Sequence, residues 1–126
     1  MDWNKFEADV CAYFFQKGYW AHRIAHSPGG SQPFDIIAMK RNLVVAVDCK
    51  VCSRKSFPLV RVEDNQWLAM ELMTQRTDAS VGFACYFQEC VYWLPFSVAK
   101  SFRDAGSTSI PLTSLDVLFE YEKKEQ

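Results

Sequence analysis

Phe34-Asp35-Ile36-Ile37-Ala38-Met39-Lys40-Arg41-Asn42-Leu43-Val44-Val45-Ala46-Val47-Asp48-Cys49-Lys50-Val51 holds two apolar, β-branched runs separated by a polar triplet. Runs of this kind read as strands, here residues 34–39 and 43–51, and Lys40-Arg41-Asn42 reads as the turn that joins them in a hairpin. The second run is apolar until it closes on Asp48-Cys49-Lys50. Residues two apart on a strand share a face, so Asp48 and Lys50 project side by side. The first run opens on another acid, Asp35. Taken singly, Asp35 could cap a turn, and Asp48 with Lys50 could be a structural ion pair.

Working outward, residues 3–17 read as a helix with Asp2 as N-cap and Gly18 as the stop. At about 100° per residue, Trp3, Val10 and Phe14 share one arc, with Phe6 and Cys11 at its edges. Glu7 falls inside that arc, where a carboxylate is costly unless paired or snorkelling at a rim. Residues 19–26 have strand character and lead into Ser27-Pro28-Gly29-Gly30-Ser31, a loop of strong turn chemistry.

Beyond the hairpin, residues 53–58 read as a polar loop. Residues 63–76 read as a helix with Trp67, Met70 and Leu72 or Met73 on one side. Residues 81–87 and 90–94 form a second hairpin around Gln88-Glu89, and 97–104 a short helix ended by Gly106. After Ile110 the pattern specifies no element, and residues 123–126 are expected to fray. The order α, three strands, α, two strands, small helix predicts an α/β fold, a mixed sheet with helices on its faces.

The chain has 126 residues and no linker or repeat, so it reads as one domain, 1–126, with a core over about 3–100 and a C-terminal extension over 101–126. No apolar run exceeds six residues, which excludes a membrane-spanning helix, and the N-terminal residues lack the pattern of a signal peptide. Five cysteines without an export signal point to reduced thiols and a cytoplasmic protein. The formal net charge is −1, yet residues 16–61 hold eight basic and two acidic side chains, a local +6. That segment fits a localised polyanion site as well as a solvated basic face.

Combined, the charged residues say more than each does alone. A helix acid and two strand acids that converge repel one another unless a divalent cation holds them, and all-oxygen ligation suits Mg²⁺ or Mn²⁺. A metal that binds a scissile phosphate and activates water, beside a lysine that steadies developing charge, is the arrangement phosphodiester hydrolysis needs.

Lys5-Phe6-Glu7, Gly18-Tyr19, Arg23, the Ser/Gly loop, Pro33-Phe34-Asp35-Ile36-Ile37-Ala38 and Val47-Asp48-Cys49-Lys50 follow in an order and spacing that resembles the PD-(D/E)XK nuclease superfamily. Within it the chain is most similar to the archaeal-type Holliday junction resolvases and their phage relatives. Two departures stand out: Phe34 separates Pro33 from Asp35, and Asp48-x-Lys50 replaces the usual Glu-x-Lys. The resemblance implies a restriction-endonuclease-like αβββαβ core, a homodimer, and Mg²⁺- or Mn²⁺-dependent cutting of branched DNA, four-way junctions above all, leaving a 5′-phosphate. It places catalytic roles on Glu7, Asp35, Asp48 and Lys50. Metal ligation falls on Glu7, Asp35, Asp48 and the Cys49 carbonyl, and Gln66 resembles a glutamine that some members place near the site. Arg54 and Lys55, just beyond the lysine strand, would lie beside that site, which favours phosphate contact over an exposed basic turn; Arg23, Ser31, Arg61 and Gln66 are further candidates for DNA contact. Flaps, ends or duplex sites are alternative substrates, and a non-cutting DNA-binding relative is an alternative role.

Other signals carry less. Cys49 and Cys52 are three apart on a strand and face opposite sides, which argues against a zinc pair. Neither His22 nor His26 has a serine or acid at triad spacing, so both read as DNA-contacting or exposed. Trp93, Phe96 and Phe57-Pro58-Leu59 are candidate dimer contacts, though core packing explains them equally well.

Overall fold

The computed structural model describes residues 1–26 and 32–122. Helix α1 (Trp3–Gln16) begins where the Asp2 side chain accepts the Lys5 backbone N–H at 3.1 Å. It ends at Gly18, whose φ of +89° turns the chain back toward strand β1 (Trp20–Arg23). Strands β2 (Ile36–Lys40) and β3 (Leu43–Val51) form the expected hairpin, with Arg41 at positive φ in the turn. Strand β4 (Ser56–Pro58) and a 3-10 turn, Leu59–Arg61, lead to helix α2 (Asp64–Arg76). Strands β5 (Ser80–Phe87) and β6 (Cys90–Pro95) make the second hairpin, and helix α3 (Phe96–Asp104) follows. Strand β7 (Ser109–Pro111), a second 3-10 turn and strand β8 (Asp116–Glu120) complete the chain.

The main sheet has the order β1-β2-β3-β5-β6-β8. All pairs are antiparallel except β3 with β5, which α2 joins as a parallel crossover. The sequence-predicted core α1-β1-β2-β3-α2-β5 is therefore present, with β4 inserted before α2. Alternation along the strands feeds two cores. Phe6, Val10 and Phe14 of α1 pack with Ile36, Ala38, Val47 and Ala84 on one face. Met70 of α2 and Phe96 and Ala99 of α3 pack with Ala46, Val81, Phe83 and Leu94 on the other. The β5–β6 contact depends on Gly82: a Cβ there would meet the Leu94 carbonyl oxygen at 2.3 Å.

Three expectations change. Residues 53–58 are not wholly a loop, because β4 pairs with β7 in a second sheet that buries Phe57 and Ile110 completely. The candidate dimer contacts Phe57, Leu59 and Phe96 are buried core residues, and Trp93 is half-buried. On α1 the arc is centred on Phe6, Glu7, Val10 and Phe14, while Trp3 lies at the surface. The five thiols are free, and Cys49 and Cys52 enter opposite cores. Among the described residues no helix is long and apolar enough to cross a membrane.

Candidate active site

The end of β3 and the beginning of β2 meet at one end of the sheet, between α1 and α2. Asp35, just before β2, is fixed by its backbone: its N–H donates to the Val47 carbonyl at 2.9 Å and its carbonyl accepts the Ile24 N–H at 2.8 Å. Phe34, the residue that interrupts the usual Pro-Asp pair, turns into the α2-side core and leaves Asp35 at that end. Asp35 Oδ2 accepts the Cys49 N–H at 2.7 Å, so the two strands hold the carboxyl directly.

Asp48 and Lys50 share a face, as alternation requires. Lys50 Nζ lies 3.0 Å from Asp48 Oδ2 and makes its hydrogen bonds with the Arg61 carbonyl at 3.1 Å and Gln66 Oε1 at 3.3 Å. Gln66 Oε1 also accepts the Glu63 N–H at 3.1 Å, which fixes the amide at the first turn of α2. Asp48 Oδ2 is thus buried with a positive charge beside it but no aligned hydrogen bond.

The electrostatics follow from burial. Glu7, Asp35, Asp48 and Gln66 are the buried polar side chains among the described residues, at 1–4% exposure. Desolvation pushes Asp48 up to about 7, against the pull of Lys50 and with a further push from Asp35. Asp35 is also raised, chiefly by burial, although the Cys49 N–H opposes the rise. The two carboxyls influence one another, Asp35 raising Asp48 while Asp48 lowers Asp35, so they titrate as a pair. Burial and the surrounding carboxylates hold the Cys49 thiol well above the usual range, and its side chain is a core group.

Glu7 stands behind this pair, on the α1 side. Its Oε1 accepts from Arg23 Nη2 at 3.1 Å and Nε at 3.3 Å, which pairs the buried charge that the sequence left unexplained. His26 joins the group from the end of β1: its Nε2 is 3.4 Å from Glu7 Oε2 and 3.8 Å from Asp35 Oδ1. Trp3 packs its ring against His26 at 4.7 Å and donates its indole N–H to the Cys49 carbonyl at 3.4 Å. Trp3 and His26 open on a cavity of roughly 650 Å³, whose walls also include Asp35, Asp48, Lys50, Arg61 and Gln66; Glu7 and Arg23 do not line it.

The fold therefore gathers Glu7, Asp35, Asp48, Cys49, Lys50, Arg23, Arg61 and Gln66 around one end of the sheet. Arg61 directs its guanidinium to the Val51 carbonyl at 2.8 Å and over Phe57. Arg54 and Lys55 are exposed on the turn between β3 and β4 and do not line this cavity; Arg54 borders a neighbouring cleft with Trp67 and Arg103. Ser31 lies outside the described residues. Sequence reasoning missed His26 and Trp3. The available signal was that Trp3 sits four residues, about one helical turn, before Glu7 on the same helix.

Asp35, Asp48 and the Cys49 carbonyl fit a divalent cation by the chemistry of their donors. They offer hard oxygens at one strand end, and one buried carboxylate oxygen has no hydrogen bond to satisfy it. A mixed sheet flanked by helices, with an acid–lysine cavity at one end, defines a nuclease-type α/β fold. The family model for archaeal Holliday junction resolvases (Hjc) matches residues 3–109, and the chain belongs to that family. It is accordingly a junction-cleaving nuclease, and the family implies a divalent metal. The fold is similar to the 1.6 Å structure of Archaeoglobus fulgidus Hjc, a Holliday junction resolvase from an archaeal hyperthermophile. The match has a TM-score of 0.55 at 18% identity and covers 75% of this chain and 77% of that one. No curated protein sequence matches the chain.

Proposed function

We propose that the cavity hydrolyses phosphodiesters of four-way DNA junctions with Mg²⁺ or Mn²⁺, and that Asp35, Asp48 and the Cys49 carbonyl hold the ion. When bound, the ion supplies Lewis-acid polarisation of the scissile phosphate and a lowered pKa for water. The remaining work falls to the chain. Lys50 presents its ammonium at the cavity wall, where it steadies the attacking oxygen or the developing phosphoryl charge. Gln66 acts through Lys50, which it orients, and Arg23 acts through Glu7, whose buried charge it balances. Arg61, Arg54 and Lys55 contact phosphates along the approach, and such contacts fix position without reading sequence.

The observation that carries this reading is the buried, incompletely satisfied Asp48 carboxylate next to Asp35. A binding module gains nothing from such a pair, whereas a cation site requires it. Paired cuts in a symmetric junction call for two such sites facing opposite strands, and a twofold homodimer supplies them. A nuclease of this kind acts in the cytoplasm, where the DNA is.

The test offers a mobile four-way junction and linear duplex in one reaction, with Mg²⁺, with Mn²⁺ or with EDTA. Paired junction cuts that need Mg²⁺ and spare the duplex are expected. Equal cutting of both DNAs would favour a nuclease for other structures, and no cutting with either ion would reject the reading.

A further inference from the structure

Glu7 and Asp35 each have one carboxylate oxygen engaged by the protein and one left over. Arg23 occupies Glu7 Oε1, and the Cys49 N–H occupies Asp35 Oδ2. The two remaining oxygens converge on a single atom, His26 Nε2, at 3.4 Å and 3.8 Å. The three ligand atoms all lie within 4.8 Å of one another. Neighbouring ligands bound to one ion at about 2.1 Å stand roughly 3.0–3.4 Å apart, so the His26 contacts are near that spacing and the widest pair closes by up to roughly 1.4–1.8 Å around a cation.

Direct pairing explains the arrangement less well. Nε2 of an imidazole carries at most one N–H for two carboxylate oxygens, and both contacts are long for hydrogen bonds. A cation offers a bond to each of the three atoms. The imidazole is also held in place, because Trp3 packs against it while anchored to the Cys49 carbonyl.

We propose that His26 is a metal ligand. Through Nε2 it completes, with Glu7 Oε2 and Asp35 Oδ1, a mixed nitrogen–oxygen position that takes a first-row transition ion such as Mn²⁺ in preference to Mg²⁺. An oxygen-only set distinguishes these ions weakly, whereas an imidazole nitrogen favours the transition metal. The proposal rests on the reading of Asp35 and Asp48 as cation-binding groups, since Asp35 belongs to both sets.

The test uses the DNA-free protein loaded with Mn²⁺. Electron spin-echo envelope modulation detects a ¹⁴N nucleus bound to the ion. The chain has two histidines, and His22 stacks on Trp20 of β1 and does not line the cavity, so the signal is assignable. Wild type should show ¹⁴N coupling, and His26→Ala and His26→Gln should lose it. Calorimetry should find Mn²⁺ affinity reduced roughly 10-fold or more in either variant, with Mg²⁺ affinity changed by less than about 2-fold. Mn²⁺ bound to wild type without ¹⁴N coupling would overturn the proposal even if the variants failed to fold. So would equal Mn²⁺ affinity in wild type and folded variants. If Asp48→Asn abolishes Mn²⁺ binding while His26 variants do not weaken it, the role of His26 falls and the active-site reading stands. If wild type binds neither ion, both fall.

Discussion

Strands β3 and β5 run side by side in one register, from Val45 opposite Ser80 to Val51 opposite Tyr86, yet they are built from opposite chemistry. Asp48 faces Phe83 across the ladder, and Lys50 faces Cys85. Phe83 and Cys85 are fully buried in an apolar cluster, where every contact stabilises the fold. Asp48 is almost as deeply buried, but its ionised form is opposed by desolvation and by Asp35. At the same depth in the same sheet, one strand end stabilises the fold and the other is held against a cost.

Substitutions on the two strands should separate activity from stability. Lys50→Ala should reduce single-turnover junction cleavage by roughly 1,000-fold, since it removes a preorganised charge at the reacting phosphate. Its melting temperature should stay near that of wild type. Cleavage at the wild-type rate would remove Lys50 from the mechanism. Phe83→Ala should do the reverse. Emptying a fully buried aromatic site costs about 3–5 kcal/mol, to be read from denaturant unfolding, while molecules that remain folded should cut normally.

Titration sharpens the contrast, because Phe83 has no charge and Asp48 does. The folded-state value of Asp48, about 7, lies above its ordinary 3.8. Between those values the folded protein keeps a proton that the unfolded chain has released. Stability of the metal-free protein therefore falls as pH rises from about 4 to about 7. Thermal melts in EDTA across that window should show the decline, and Asp48→Asn should flatten it. A rise over the same window would contradict the assignment. The smallest effect is expected just beyond β3. Replacing Arg54 and Lys55 together with alanine should weaken junction and duplex binding alike. The slope of log affinity against log salt should become shallower by about 0.9 for each phosphate that the variant no longer neutralises. An unchanged slope in a salt titration would put the DNA path elsewhere.

Much of this contrast was legible in the sequence. The apolar, Val-rich run Leu43–Val47, closed by Asp48-Cys49-Lys50-Val51, reads as one strand with the observed bounds of β3, and period-2 alternation puts Asp48 beside Lys50. Glu7 stood out as a carboxylate on an apolar arc, and it is buried. What the sequence hid depends on distant partners. Strand β4 has one large apolar residue, Phe57, and is a strand only because residues 109–111 pair with it. Trp3 looked like a core residue because periodicity marks a face, not what covers it; here the first turn of α1 borders the cavity. His26 meets Glu7 and Asp35 only because the fold brings α1 and the start of β2 to it, and no local spacing encodes that meeting.

The central claim is that the charged end of β3 exists for catalysis and not for folding or DNA affinity. Asp48→Asn tests it most directly, with single-turnover cleavage and affinity measured on the same four-way junction. Cleavage should be lost while junction affinity stays within about threefold of wild type, because affinity comes mainly from basic groups on phosphates. Cleavage at the wild-type rate, or loss of affinity in step with loss of cleavage, would contradict the account.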